Sequence, residues 1–327
     1  MAEEAQMVKA IKLFYEKGQN ALTYARQLVK QEKVEFEPLQ NALNYFMDNW
    51  EDVLHPALVS LACEAVGGHS ESTVQVSAAL VLLAGAADVH DDIIDHSEMK
   101  GSKLTVYGKY GLDVAILAGD ILLLKGTYVL YDACQKLPKN KMEDVLQIVR
   151  ESFLEVSAAE AKETSFRGKL DVSEQEYFEI IRHKVAAGEA STRIGAIWGN
   201  GSEAEVEKMG QFGRTFSILM TLRDEFADMF EPDEMKNRFE SECLPYPVLL
   251  TFQEEEKKKT ILQLLNKELT EEVIENILDI VMVSPRVDAL REKIDQMITQ
   301  ENRNIAEMRQ KETLIQLLDA MTQGIKK

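Results

Sequence analysis

The chain has 327 residues, 45% of them hydrophobic, which is enough to bury a large core. Its formal net charge is −19 and no basic stripe interrupts the sequence, which argues against nucleic acid as a partner. The three cysteines, Cys63, Cys134 and Cys243, lack metal-binding or redox spacing and are typical of a reducing cytosol.

The N-terminus is acidic and lacks the basic and then apolar order of a signal peptide. The best apolar run, 76–89, is too short to cross a membrane. We therefore expect a soluble, cytoplasmic protein without stable membrane insertion.

The first third of the chain is rich in helix-forming residues with helical spacing of the apolar positions. Helices are predicted over 2–31 and 37–48, and Pro56 suits the first turn of a helix that ends near residue 66. A long apolar helix should start at Glu71-Ser72 and end in an acidic cluster at 91–95.

The remainder continues as helices. The polar stretch 96–111 is long for a plain connection, which is typical of a functional loop. Helices are predicted over 112–137, 141–167 and 173–198, and Asn200-Gly201-Ser202 should cap the helix that bears a second acidic cluster. Amphipathic helices follow over 260–325 and divide at Ser284-Pro285. No strand is convincing, so we predict a single all-α domain, 1–327.

Two acidic clusters are the most informative feature of the chain. They are Asp91-Asp92-Ile93-Ile94-Asp95 and Asp224-Glu225-Phe226-Ala227-Asp228, and each ends an apolar helical run. Residues four apart share one helix face, so each cluster presents paired carboxylates that repel unless a cation or proton neutralises them. Hard oxygen ligands favour Mg²⁺, which commonly keeps positions for substrate phosphate. The alternative is that one or both clusters only decorate a solvated helix face.

Several motifs at fixed spacing resemble those of the trans-isoprenyl diphosphate synthases, or polyprenyl synthetase family. His90 to Asp95 matches the HDDxxD helix of that family, and Ala115 to Asp120 matches its AILAGD helix without a gap. Lys184 falls where the family has the lysine of its KT pair, with Val185 in place of threonine, and Gly213 precedes Asp224 at the family's distance. The resemblance covers roughly residues 37 to 250.

This resemblance implies a helical bundle around a central cavity, usually as a homodimer, that uses an allylic prenyl diphosphate with Mg²⁺. The default reaction is head-to-tail condensation with isopentenyl diphosphate. It implies Asp91, Asp92 and Asp95 as ligands of the first metal and Asp224 and Asp228 as ligands of the second. It also implies that Asp91, Asp92 and Lys184 are catalytic, with Lys184 contacting the allylic diphosphate.

The departures from the family pattern concentrate on the site for isopentenyl diphosphate. The family's GKRxRP becomes Glu51 to Pro56, which leaves His55 as the remnant of its basic residues. The family's RRG becomes Lys100-Gly101-Ser102, and its FQ pair becomes Met220-Thr221. His55, Lys100, Lys103, Lys184 and Thr221 are therefore the predicted substrate-binding residues.

Three interpretations remain open at this stage. The chain could be an elongating synthase whose cations come from other positions, or a transferase of the same fold with a different acceptor or product. It could also be a non-catalytic subunit that regulates a true synthase as a heteromer. Because the DDxxD motif and Lys184 are intact, we expect a prenyltransferase.

The pocket for the prenyl tail is also suggested by the resemblance. In this family the residues four and five positions before the first aspartate help to form its floor, and these are Ala87 and Ala86. Neither side chain is large enough to block a long tail. We expect a cavity that accepts at least about fifteen carbons, and expect Ala86→Phe to shorten the product by exclusion of volume.

Overall fold

The structure is a computed structural model that describes residues 2–325. This part of the chain is 78% helical with almost no strand, which confirms the all-α prediction. The helices of the first half are α1 (Ala2–Lys30), α2 (Glu37–Asn49), α3 (Leu54–Ala65), a 3₁₀ turn (Ser70–Thr73), α4 (Val74–Ile94), α5 (Val106–Tyr110), α6 (Leu112–Cys134) and α7 (Lys139–Thr164).

The second half holds mostly shorter helices, two of which start at proline. They are α8 (Glu174–Lys184), α9 (Ala186–Trp198), α10 (Glu203–Asp228), α11 (Pro232–Ser241), α12 (Tyr246–Thr251), α13 (Glu255–Leu265), α14 (Glu271–Met282), α15 (Pro285–Asn304) and α16 (Lys311–Met321). Ser202 caps α10, as the sequence predicted, and it does so in a reciprocal capping box with Glu205.

Two local features differ from the sequence prediction. The polar stretch 96–111 contains a short antiparallel hairpin, β1 (Met99–Lys100) with β2 (Lys103–Leu104), followed by α5. The predicted helix over 173–198 is two helices, because the backbone leaves helical geometry at Val185. No glycine or proline marks this break, so local sequence gives no signal for it. The break leaves Lys184 at the C-terminal end of α8.

The central helices α4 and α6 pack against each other along most of their lengths. Both are long and apolar enough to cross a membrane by length and composition alone, which corrects the expectation that no such segment exists. Most of α4 is nevertheless buried inside the protein bundle, whereas α6 leaves an apolar face uncovered. Within the bundle α4 therefore serves as a core helix, and its apolar character follows from being surrounded by other helices.

Glycines allow α9 and α10 to approach closely. A Cβ atom on Gly188 would lie 2.0 Å from Ser217 Oγ, and one on Gly213 would lie 2.2 Å from Thr192 Oγ1. Substitution at either position would therefore force the two helices apart. The close contact holds α9, which bears three cavity-lining residues, against the helix of the second acidic cluster.

Candidate active site

A cavity of about 540 Å³ lies among α3, α4, α7 and α9. Its walls come from single faces of the two long helices, because the lining positions recur at helical spacing. From α4 these are Leu80, Leu83, Ala84, Ala87, His90, Asp91 and Ile94, and from α7 they are Val149, Ser152, Phe153, Val156, Ser157, Glu160, Ala161 and Thr164. The volume is within the usual range for a small-molecule site.

The polar groups of this cavity are concentrated near the C-terminal ends of its two long helices. Asp91 of α4 and Glu160 of α7 both line it, while the positions earlier in each helix are mostly aliphatic. Glu160 lies close enough to raise the pKa of Asp91 through charge repulsion. The cavity therefore joins an acidic end to an apolar channel. This distribution of polarity suits a ligand with a charged head group and an apolar tail.

Two carboxylates of the first acidic cluster have raised pKa values. Burial, reinforced by Glu160 and Asp95, raises the pKa of Asp91 to about 7. Burial also raises the pKa of Asp92 to about 6, although Lys100 pulls it down. The Oδ1 atom of Asp91 is buried and has no hydrogen-bond partner in the part of the chain described. Such an oxygen is free to bind a cation.

Two basic residues pair with carboxylates of the first acidic cluster. Lys100 Nζ lies 2.7 Å from Asp88 Oδ1 and 2.8 Å from Asp92 Oδ1. Arg167 Nη2 forms a short ion pair with Asp95, which sequence reasoning did not predict. Each of these cations therefore already faces a carboxylate of the first cluster.

Lys184 also faces this end, and its partners were missed from the sequence. Its Nζ lies 3.1 Å from Glu160 Oε1 and makes a shorter contact with Glu163. Burial lowers the pKa of Lys184, but Glu163 and Glu160 outweigh burial and raise it, so the ammonium stays charged. The spacing of Glu160 and Glu163 along one face of α7 was the available signal.

The second acidic cluster is arranged differently. Glu225 is buried, accepts hydrogen bonds from Arg238 Nη2 at 2.9 Å on both oxygens, and accepts another from the Tyr246 amide at 2.6 Å. Arg238 Nη1 also donates to Asp228 Oδ2 at 2.9 Å. Asp224 is exposed and is not among the residues that line the large cavity. A built-in guanidinium therefore already neutralises much of this cluster.

Arg238 also links the two clusters in space. A small cavity of about 40 Å³ is lined by Asp95 of the first cluster, by Lys184 and by Arg238. Since Arg238 bonds Asp228, the ends of α4 and α10 approach one another through this one side chain. Burial raises the pKa of Asp228 to about 6 despite the guanidinium.

The other predicted residues are divided between the cavity and the surface. His55 and Ala87 line the large cavity, whereas Ala86 is only 1% exposed and packs in the core beside it. Lys103 is exposed on β2, and Thr221 is half-buried on α10. Neither of these two is among the lining residues of the large cavity.

A complete metal site is not built from protein groups alone. Within residues 2–325, no three His, Cys, Asp or Glu side chains converge closely enough to hold a metal ion. The oxygen donors present, and the unpartnered Asp91 Oδ1 above all, still fit Mg²⁺, because this ion is usually held by one or two carboxylates together with substrate phosphates.

The polyprenyl synthetase family model matches residues 36–281, about three quarters of the chain. The chain belongs to the polyprenyl synthetase family. It is 33% identical over 183 residues to a short chain isoprenyl diphosphate synthase of Methanothermobacter thermautotrophicus, covering 55% of each chain. It is 32% identical over 220 residues to a geranylgeranyl diphosphate synthase of Sulfolobus acidocaldarius, covering 67% of this chain and 64% of that one. These matches thus span between half and two thirds of each relative's length.

The fold is shared over the whole chain. The crystal structure of geranylgeranyl pyrophosphate synthetase from Pyrococcus horikoshii superposes with a TM-score of 0.82, covering 100% of both chains at 22% identity. The bundle around a central cavity is thus the polyprenyl synthetase fold. At this identity the likeness concerns architecture, so the reaction has to be argued from the site.

Proposed function

We propose that this family member is a Mg²⁺-dependent prenyltransferase that ionises an allylic prenyl diphosphate. The observation that carries the proposal is the acidic end of the large cavity, where buried Asp91 has an oxygen without a protein partner beside Asp92 and Lys184. The names of the two relatives support isopentenyl diphosphate as the acceptor, with a longer prenyl diphosphate as the product.

Asp91, Asp92 and Asp95 would hold Mg²⁺, which when bound offsets the charge of the departing diphosphate. Asp228 would bind Mg²⁺ only if Arg238 moved away, since the guanidinium donates a hydrogen bond to that carboxylate. Lys184 is fixed by Glu160 and Glu163 at the same end and is placed to contact phosphate oxygens. These residues hold the leaving group in one position while the C–O bond breaks toward an allylic cation.

The aliphatic part of the cavity would receive the prenyl tail. Leu83 and Ala87 of α4 face Phe153 and Val156 of α7 across a space that carries few polar groups. An apolar lining of this kind excludes water and so protects a carbocation from hydrolysis. The position of Ala87 in the lining, one turn before Asp91, places it where side-chain volume would limit tail length.

We also propose that the protein acts in the cytoplasm as a homodimer through α6. Leu117, Leu124 and Tyr131 recur every seven residues on this helix and are 51%, 73% and 51% exposed. Tyr128, 66% exposed, lies beside them. An apolar stripe of this length on a packed helix is typical of an interface between copies of one chain. Leu124→Glu should convert the dimer to monomer in size-exclusion chromatography with light scattering.

The reaction is tested by incubating the purified chain with farnesyl diphosphate, with and without Mg²⁺ and with and without isopentenyl diphosphate. We expect Mg²⁺-dependent release of diphosphate, and longer prenyl diphosphates by mass spectrometry when isopentenyl diphosphate is present. Asp144→Ala, at an exposed aspartate of α7, serves as the matched control for Asp91→Ala. Absence of diphosphate release under every condition, together with tight binding to a separate synthase, would leave the regulatory-subunit interpretation instead.

A further inference from the structure

A histidine–carboxylate pair lies in the wall of the large cavity at the start of α3. His55 Nδ1 is 2.9 Å from Asp52 Oδ2, and Asp52 Oδ1 accepts the backbone amides of Leu54 at 3.0 Å and His55 at 3.1 Å. Asp52 is only 8% exposed. Because an ionised carboxylate only accepts hydrogen bonds, Nδ1 carries a proton, and in the neutral ring Nε2 keeps the lone pair. The carboxylate thus fixes both the tautomer and the direction of the ring.

The Nε2 atom of His55 is available to a ligand. No hydrogen bond to it exists within the described residues, and 26% of the side chain remains exposed while the ring lines the cavity. Burial lowers the pKa of His55, but the charge and hydrogen bond of Asp52 outweigh burial and raise it. The pair therefore presents a fixed base toward an apolar space, the arrangement used for proton transfer.

Other titratable groups that face the same cavity have different partners. His90 Nε2 lies 3.6 Å from Asp120, and Asp91 and Glu160 belong to the acidic end with Lys184. The nearby lining residues of α9 are Ala187, Ala190 and Ser191, none of which ionises in the working range. His55 is the imidazole of this cavity whose ring nitrogen is hydrogen-bonded to a buried carboxylate.

The surroundings of His55 do not suit a phosphate group. In the part of the chain that the structure describes, neither His55 nor Asp52 has a lysine or arginine in hydrogen-bond or ion-pair contact. Arg26, which comes within 3.8 Å of the adjacent Glu51, is engaged with the carbonyl oxygens of Met47 and Trp50. A phosphate beside His55 would meet the charge of Asp52, whereas the uncharged carbon of a prenyl chain would meet only the free imidazole nitrogen.

We propose that His55, oriented by Asp52, takes a proton from the allylic cation, so that the chain also converts a prenyl diphosphate alone into a conjugated hydrocarbon. The inference rests on the ionisation proposed above. The C–O bond breaks and diphosphate leaves with its electron pair. A C–H bond next to the cation then breaks, its electrons form the new C=C bond, and its proton goes to Nε2. The imidazolium returns that proton to solvent, so no oxidant or co-reactant is required.

The experiment uses the full chain with Mg²⁺ and farnesyl diphosphate, without isopentenyl diphosphate. Released diphosphate is measured by an enzyme-coupled assay, and hydrocarbons and prenyl alcohols are measured in a solvent overlay by gas chromatography–mass spectrometry. We expect hydrocarbon from the wild type, and at least about a tenfold lower ratio of hydrocarbon to released diphosphate in His55→Gln, the smaller end of the range for general bases. Prenyl alcohol, from capture by water, should replace the lost hydrocarbon.

Asp52→Asn should lower the same ratio, and the matched control His69→Gln, at an exposed histidine, should leave it unchanged. The ratio reports the fate of the cation per turnover, which a loss of folded protein does not alter. Wild-type diphosphate release without hydrocarbon, or an unchanged ratio in both His55→Gln and Asp52→Asn, overturns the inference and leaves the proposed transferase intact. No Mg²⁺-dependent release by the wild type overturns the proposed function itself.

Discussion

The acidic ends of α4 and α10 carry similar sequence motifs but have different electrostatic surroundings. At the end of α4, Asp91 keeps a buried oxygen without a partner, and its pKa rises to about 7. At the end of α10, Glu225 and Asp228 share the guanidinium of Arg238. At the first end Lys100 and Arg167 pair with Asp92 and Asp95 but leave Asp91 without an ion-pair partner among the described residues, while at the second end one cation binds both Glu225 and Asp228. A DxxxD spacing alone does not distinguish these two conditions, because the compensating residue lies elsewhere in the chain.

The largest effect should follow from removing a carboxylate at the end of α4. Asp91→Ala and Asp92→Ala should each lower Mg²⁺-dependent diphosphate release by about 10³-fold, as when a charge-stabilising group is lost from a transition state. Asp224→Ala, on the exposed side of the other cluster, should have a smaller effect. Steady-state release rates for the three variants test this order, and retention of most activity in Asp91→Ala would contradict the assigned role.

Removing the internal cation should destabilise the fold. Arg238→Gln leaves Glu225 buried without its charged partner, so the free energy of unfolding should fall by about 3–5 kcal/mol. Arg223→Gln, at a half-buried arginine two residues before Glu225 that takes no part in this ion pair, should change it by no more than about 0.5 kcal/mol. Urea titrations of both variants measure the difference, and equal losses would show that Arg238 is not specially required.

Filling the cavity wall beside the first cluster should change product length. Ala87→Phe places a bulky ring in the cavity lining and should shorten the longest product. Ala86→Phe places the same ring in a packed core, so overpacking by about 1–3 kcal/mol should accompany any change in product. Product chromatography with thermal unfolding separates the two. An unchanged length distribution in Ala87→Phe would place the limit elsewhere, for example at Leu83.

The smallest predicted effect concerns pH. In the folded protein Asp91 holds its proton up to a pKa of about 7, whereas the unfolded chain loses it near 3.8. The folded state therefore binds more protons between these values, and this contribution to stability is lost as pH rises through them. Asp91→Asn should flatten the fall in unfolding free energy between about pH 4 and 7, measured without Mg²⁺. A slope equal to that of the wild type would contradict the raised pKa of Asp91.

Local sequence accounts for much of the fold and for the first acidic cluster. Apolar periodicity predicted the helices, and Asn200-Gly201-Ser202 marked the start of α10, because such signals act within one or two turns. The break at Val185, which positions Lys184, had no local signal, since packing against neighbouring helices decides it. The partners Glu160 and Glu163 on α7, and Arg167 in the turn after it, were missed for a related reason: the bundle decides which way these side chains face.

The sequence by itself determined the helical class, the family resemblance and the chemistry available at Asp91, Asp92 and Asp95, because periodicity and residue type are properties of short segments. Tertiary structure decided which carboxylates remain uncompensated. Folding brings Arg238 into contact with Glu225 and Asp228. Folding also places His55 and Asp91 in the lining of the same cavity. Electrostatic compensation depends on distance and burial, and neither is fixed until distant segments pack.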